Sequence, residues 1–356
     1  MYRIRGARPD DLGSLMELAK ILNSVNLPHS RSALEEVVET SRRSFSGDCS
    51  EPFEREYLFV LEDTETKEVL GTSQIIAQHG TRKAPHIYLD VLDAEHYSTT
   101  MDTYVKHHIL RLGFDYDGPT EIGGLVLAPK ARKAPKKLGK QLSFARFLFV
   151  AMHRTSFKDR ILAELLPPLL PGKKSLLWEA LGARFTGLTY QEADEISKTN
   201  KEFIKSLFPT GVVYTTLFDE KTRAVIGEIG PETRGVEKML RNIGFRPVNR
   251  VDPFDGGPHF EAETDSIWPI QQTKLAPYTT DSKEKIGQSL GRSAEGLVAY
   301  SRPTNGGLGL EFNCTFSVFQ WRPDGALAIP EETARILEAP DDAELASVAF
   351  AEHVRR

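Results

Sequence analysis

Residues Glu121–His153, EIGGLVLAPKARKAPKKLGKQLSFARFLFVAMH, force a strand, a loop and a helix into immediate succession. Ile122–Leu127 is an apolar run of strand length, and an amphipathic helix is predicted over Gln141–His153. Between them, Lys130–Lys140 holds six Lys or Arg residues and no acid. A basic loop carrying Gly139 at a helix start offers free amides and the positive end of the helix dipole, which together cradle phosphate. The stretch reads as the seat of a coenzyme pyrophosphate, CoA before others. Taken singly, its parts also suit a core strand and a solvated basic loop.

The net charge of -5 makes that basic cluster a local feature of an acidic chain. A general nucleic-acid binder, which needs a broad basic face, is excluded on this ground. Cys49 and Cys314 stand far apart and without metal-ligand spacing, which fits a reducing compartment. The apolar run near Phe147–Met152 is far short of the ~20 residues a membrane span needs. The start, MYRIRGARPDD, lacks the apolar core of a signal peptide. A soluble cytoplasmic protein is expected.

Tyr2–Arg5 is predicted as a strand, and Leu12, Leu15, Met16, Ala19 and Leu22 as one helix stripe. Ser24–Ser50 reads as a loop-rich insertion with a helical patch at Ala33–Val38. Tyr57–Leu61 and Val69–Ile76 form a hairpin around Glu62–Lys67. Further on, a strand is expected at His86–Val91 and a helix at Tyr104–Leu112. Ile161–Leu165 is a strand, Ser175 caps a helix that buries Leu177, Trp178 and Leu181, and Tyr190–Ser206 is helical in character. Val212–Leu217 and Pro247–Val251 are strands, with a helix at Pro231–Asn242 between them. At Lys274–Lys285 the chain turns polar and loses periodicity, so a domain boundary is placed there.

This order of elements resembles the GNAT acyltransferases. FVLEDTETKEVLGT (Phe59–Thr72), GGLVLAPKARK (Gly123–Lys133), RFLFVAMHR (Arg146–Arg154), FIKSLFP (Phe203–Pro209), AVIGEIGPET (Ala224–Thr233) and VDPFDGGPHFEA (Val251–Ala262) resemble blocks of bacterial arginine N-succinyltransferases. FDGGP at Phe254–Pro258 is the most specific marker, and Gly296–Ser301 through Arg322–Leu337 resemble the end of that family's chain. The resemblance implies an α+β, GNAT-like acyl-CoA N-acyltransferase fold, a central mixed sheet flanked by helices with a small β-rich C-terminal module. The acyltransferase region is expected over residues 1–275, in halves 1–115 and 116–275, and the module over 276–356. The implied reaction moves succinyl from succinyl-CoA to the α-amino group of L-arginine, directly and in arginine catabolism. Succinyl-CoA is then a co-substrate, with no permanently bound cofactor and no metal. Some members of the family work as paired, similar subunits and accept ornithine, so a homodimer or a heterodimer is implied.

Leu125 matches the family's succinyl-CoA contact, and its N–H is a candidate oxyanion donor, with Val126 and Leu127 continuing the coenzyme strand. Lys136, Lys137, Leu138, Gly139 and Lys140 are the phosphate-loop candidates. GNAT loops carry two glycines at x-x-G-x-G spacing; here Gly139 matches the second, and Lys137 stands where the first belongs. The family's acid/base histidine falls at Gly230, at the expected N-cap of the Pro231–Asn242 helix. Glycine carries no proton, which leaves open a weakly active or inactive member serving as a partner subunit or a CoA-ligand binder. Glu121 and Glu164 match acidic positions of the family and are the catalytic candidates, Glu164 equally suiting an ion pair with Arg132 or Arg184. Asp255 in FDGGP is the candidate for the arginine guanidinium, or else an ordinary turn residue. None of the nine histidines shows metal-ligand spacing.

Overall fold

The structure is a computed structural model; it describes all of the chain except residues 22–26, 29, 83, 133, 135–136, 173, 198–199, 289–292, 305–308 and 355–356. The chain is α+β. Its strands are β1 (Tyr2–Gly6), β2 (Glu56–Asp63), β3 (Val69–Ile76), β4 (His86–Ser98), β5 (Thr103–Asp115), β6 (Thr120–Leu127), β7 (Arg160–Glu164) and β8 (Val213–Tyr214). There follow β9 (Arg246–Val251), β10 (Pro258–Glu263), β11 (Lys274–Asp281), β12 (Ser293–Thr304), β13 (Gly309–Trp321), β14 (Leu327–Pro330) and β15 (Glu344–Val354). Two compact units are built from them. One comprises Met1–Gln78, Ile122–Asp159 and Thr264–Arg356; the other comprises His79–Glu121 and Arg160–Glu263.

The first unit orders its strands β12-β15-β11-β14-β13-β1-β2-β3-β6, with β11 and β14 parallel. β1 pairs with β13 at Ile4–Cys314 and with β2 along its whole length. Strands β11 to β15 therefore share one sheet with the first strand of the chain, and the compact units do not follow a linear cut at 275. The stretch from Lys274, where a domain boundary is expected, is β11, paired to β15 from Lys274–Ser347 to Pro277–Glu344. Helices α1 (Leu12–Ala19) and α2 (Arg31–Ser46) pack Leu12, Leu15, Leu34 and Val38 on Leu58, Val60 and Val126. α2 replaces most of the expected loop-rich insertion. Ser30 caps it by accepting from Ala33 N, and Gly47 ends it at φ +78. Its Ser41 hydroxyl accepts from Leu58 N at 2.9 Å, fixing the helix on β2.

A single turn, α3 (Pro129–Arg132), precedes α4 (Leu138–Met152). α4 is apolar on nearly every side and is buried from Gln141 to Val150. Buried Arg146 on α4 donates to Gly123 O at 3.2 Å and to the Ser143 hydroxyl at 2.8 Å. Burial pulls its guanidinium down to about 9.

The second unit orders its strands β6-β7-β10-β9-β4-β5-β8, with the first two residues of β6 parallel to β7 and the rest antiparallel. β4 and β5 form a continuous hairpin from His86–Asp115 to Ser98–Thr103, where a helix over Tyr104–Leu112 was expected. Its core sets Trp178 flat on Phe254, centroids 5.1 Å apart and planes 7° apart. Ser175 accepts from Trp178 N at 3.0 Å, as the sequence suggests. Tyr190–Ser206 divides into helices Tyr190–Ser197 and Glu202–Leu207, and Val212–Leu217 narrows to β8 and a short 3-10 turn.

Candidate active site

In the first unit, β6 and the start of α4 carry the coenzyme candidates. The parallel pairing of β6 with β7 holds only at Thr120–Ile161 and Glu121–Leu162. From Ile122 onward, among the described residues, β3 is the strand neighbour, and Ala128 N donates to Leu70 O at 2.8 Å. Gly124 interrupts the strand in the left-handed region at φ +57, and Thr72 donates its hydroxyl to Gly124 O at 2.8 Å. A strand edge with one neighbour and a glycine kink can receive an extended amide chain by strand addition.

Lys137 is itself left-handed, φ +50 and ψ +50, and precedes α4 without a side-chain cap. The position where glycine was expected thus has the conformation that glycine favours. At Gly139 a Cβ would lie 3.3 Å from Leu127 Cδ1, so the helix start fits closely on β6. The cluster of basic residues is partly structural. Lys130 pairs with Glu68, Arg132 donates to Leu127 O at 3.1 Å, and Lys140 lies 4.3 Å from the Phe350 ring centroid. Lys136, a phosphate candidate, lies outside the described residues.

In the second unit the sheet gathers five titratable side chains. Glu121 is paired to Leu162, so Glu164, two residues on, shares its face. β10 places His259 directly opposite Glu164, and β4 begins at His86. His86 Nε2 lies 3.0 Å and His259 Nε2 3.3 Å from Glu164 Oε1. The rings of these two histidines stack at 5.4 Å and 17°. His79 follows β3 and is held by its N–H donation to Pro119 O at 2.8 Å; its Nδ1 lies 2.5 Å from Glu121 Oε2. The sequence marked both carboxylates but not their histidine partners. Glu164 has neither Arg132 nor Arg184 as its partner.

Burial raises the Glu164 carboxyl, but the charge of His259 and the bond to His86 outweigh it and hold the group well below its ordinary value. Burial and the charge of His79 pull His86 down to about 4, and burial pulls His259 down. Burial also lowers His79, yet the adjacent Glu121 charge and hydrogen bond win, and its net shift is upward.

His86, Glu164 and His259 bring ligand atoms within 4.8 Å of one another. Their second nitrogens argue against a metal. Among the described residues the buried Nδ1 atoms of His86 and His259, and Nε2 of His259 as well, find no hydrogen-bond partner, whereas ligating imidazoles are oriented through their second nitrogen.

Asp255 serves the turn. Its Oδ1 accepts from Gly257 N at 2.7 Å, and Asp252 Oδ1 accepts from Phe254 N and Asp255 N at 2.7 and 3.1 Å. Gly256 adopts φ +81 there. Burial and the neighbouring Glu164 charge push Asp252 up to about 7, while burial and Asp252 raise Asp255.

A family model described as arginine N-succinyltransferase beta subunit matches residues 2–269. This chain belongs to the arginine N-succinyltransferase family. Arginine N-succinyltransferase from Salmonella arizonae is 34% identical over 278 residues, 77% of this chain and 80% of that relative. The Citrobacter koseri protein of the same name is 33% identical over the same shares. The solved structure of arginine/ornithine succinyltransferase subunit AI from Pseudomonas aeruginosa superposes with a TM-score of 0.81, covering 98% of each chain at 26% identity. The chain is thus an N-acyltransferase of this family. The resemblance read from its sequence blocks places the family's acid/base histidine at Gly230.

That glycine is not an N-cap. The helix begins at Arg234, with Thr233 at the N-cap position but making no side-chain cap, and Thr233 N donates to Gly230 O at 3.1 Å. Gly230 N donates to Leu166 O at 2.9 Å, and a Cβ at 230 would lie 2.6 Å from Pro167 O and 2.8 Å from Leu166 O. Position 230 has no room for a side chain.

Proposed function

We propose that the chain transfers succinyl from succinyl-CoA to the α-amino group of L-arginine, within a GNAT-like fold whose mixed sheet is flanked by helices. The family match over residues 2–269 carries this reading. The neutral amine attacks the thioester carbonyl carbon directly, without a covalent enzyme intermediate. The amide bond forms as the C–S bond breaks, and sulfur leaves as thiolate. A thiol of pKa near ~8.5 leaves at neutral pH without a strong acid.

Leu125 N–H is assigned to the developing oxyanion, and Leu125, Val126 and Leu127 to the amide groups of the pantetheine arm. The start of α4 with Lys136, Lys137, Leu138, Gly139 and Lys140 takes the phosphates. Glu121 and Glu164, with their histidines, manage the proton of the amine. Asp255, supported by Asp252, provides negative charge for the guanidinium in addition to holding its turn. A buried carboxylate pair with raised pKa values gains from a cation beside it. Succinyl-CoA comes and goes as a co-substrate, and no metal is assigned.

Among the described residues no helix is long and apolar enough to cross a membrane, in keeping with work in the cytoplasm. The beta-subunit description of the family supports assembly with a second copy or a similar chain. A role as an inactive partner is implied by Gly230 alone, and the histidines beside Glu121 and Glu164 provide the titratable groups absent at that position.

Incubation with succinyl-CoA and separate amines, arginine, ornithine and lysine, followed by mass spectrometry, tests the assignment. N-succinylarginine as the main product is expected. Succinylation of lysine in preference to arginine would overturn the acceptor.

A further inference from the structure

We propose that His79, oriented by Glu121, is the general base that takes the proton from the acceptor amine. The inference rests on the acyl-transfer reading above and singles out which histidine of the cluster takes the proton.

Position 230 holds no proton carrier and has no space for one. Three histidines stand in the cluster, and their exposure separates them. His86 and His259 side chains are 2% and 0% exposed and both point Nε2 at Glu164, whereas the His79 side chain is 20% exposed. A base must reach both substrate and solvent, so His79 is the member that qualifies. Its Nδ1 lies 2.5 Å from Glu121 Oε2; with the proton assigned to Nδ1, facing that carboxylate, the Nε2 lone pair is the acceptor. Glu121 is then a positioning residue, four places before Leu125 on β6.

The groups that face His79 are Glu121 on β6, His86 on β4, Glu164 on β7, and Lys201 ahead of the Glu202–Leu207 helix. Lys201 opposes protonation and the two carboxylates favour it, with Glu121 dominant. As nitrogen bonds to the thioester carbon, its proton passes to His79 Nε2 and the C–S electron pair goes to sulfur. The imidazolium then returns its proton to solvent or to the thiolate, and the balance closes without any other reactant. A base whose pKa lies near the working pH suits this step best.

The test uses the full chain, succinyl-CoA and L-arginine, with thiol release followed between about pH 6 and 9. Wild type shows kcat/KM rising through one ionisation as His79 loses its proton. His79→Gln lowers kcat by about 10²–10³-fold with KM for arginine changed little, and that ionisation disappears. Glu121→Gln keeps the base but removes the anion, so the ionisation moves to lower pH. Added imidazole restores part of the rate to His79→Ala, which a purely structural histidine would not allow. If wild type is active and His79→Gln retains its rate and its pH limb, His79 has no such role. If His79→Gln fails to fold, an unmoved limb in folded Glu121→Gln overturns the proposal as well. A wild type that releases no thiol with arginine removes the acyl-transfer reading itself.

Discussion

Two backbone carbonyls decide what residue 230 can be. Any Cβ there meets Pro167 O and Leu166 O well inside contact distance. Gly230→His is therefore expected to lose roughly 1–3 kcal/mol of stability and to gain no activity. Denaturant unfolding with thiol release on the same samples checks both, and a stable, faster variant would contradict the geometry. Asp252 has a different signature. Its folded pKa of about 7 stands above the ordinary 3.8, so between those values the folded state binds more protons than the unfolded one. Stability from this group is full below the unfolded value and falls as pH rises through about 7. Asp252→Asn keeps an oxygen for Phe254 N and Asp255 N and removes the ionisation. The ligand-free variant should lose less Tm than wild type between about pH 5 and 8 by calorimetry. Glu121 and Glu164 were singled out in the sequence because they match acidic positions of the family, and Asp255 because it stands in a Gly turn. His79, His86 and His259 were not, because they lie on three distant segments and only the pleat and register of the sheet bring them together.

Among the elements, the β4–β5 hairpin shows why a helix was expected where a strand stands. Tyr104, His108 and Leu112 recur every four residues, while the outer half of the hairpin is exposed on most positions, so no period-two alternation marks it. A strand buried on neither face gives no such signal. By contrast, β2, β3 and β6 are buried on both faces and were legible as apolar runs. At the start of α4, Lys137 in the left-handed region costs about 1–2 kcal/mol relative to a right-handed residue. Lys137→Gly relieves that strain but adds chain freedom to the unfolded state. A net gain of about 0.5–1 kcal/mol is expected in urea unfolding. A loss above that size would show that contacts of the lysine side chain outweigh the backbone.

For the molecule as a whole, the end of the chain belongs with its beginning. β1 lies between β13 and β2, and Phe312 on β13 packs edge-on against Phe59 and Phe149 at 5.5 and 5.2 Å. A chain cut after residue 275 would bare that sheet edge and those rings. It is expected to aggregate, and a soluble, cooperatively unfolding 1–275 fragment would contradict the shared sheet. The sequence reading expects a β-rich end to the chain but not this pairing, since which strands become neighbours is set across more than three hundred residues. Catalysis is tested most directly by thiol release from succinyl-CoA with the purified full chain, with and without L-arginine. Release that depends on arginine and saturates with it is the predicted result; no release under either condition, from folded protein, would contradict the account.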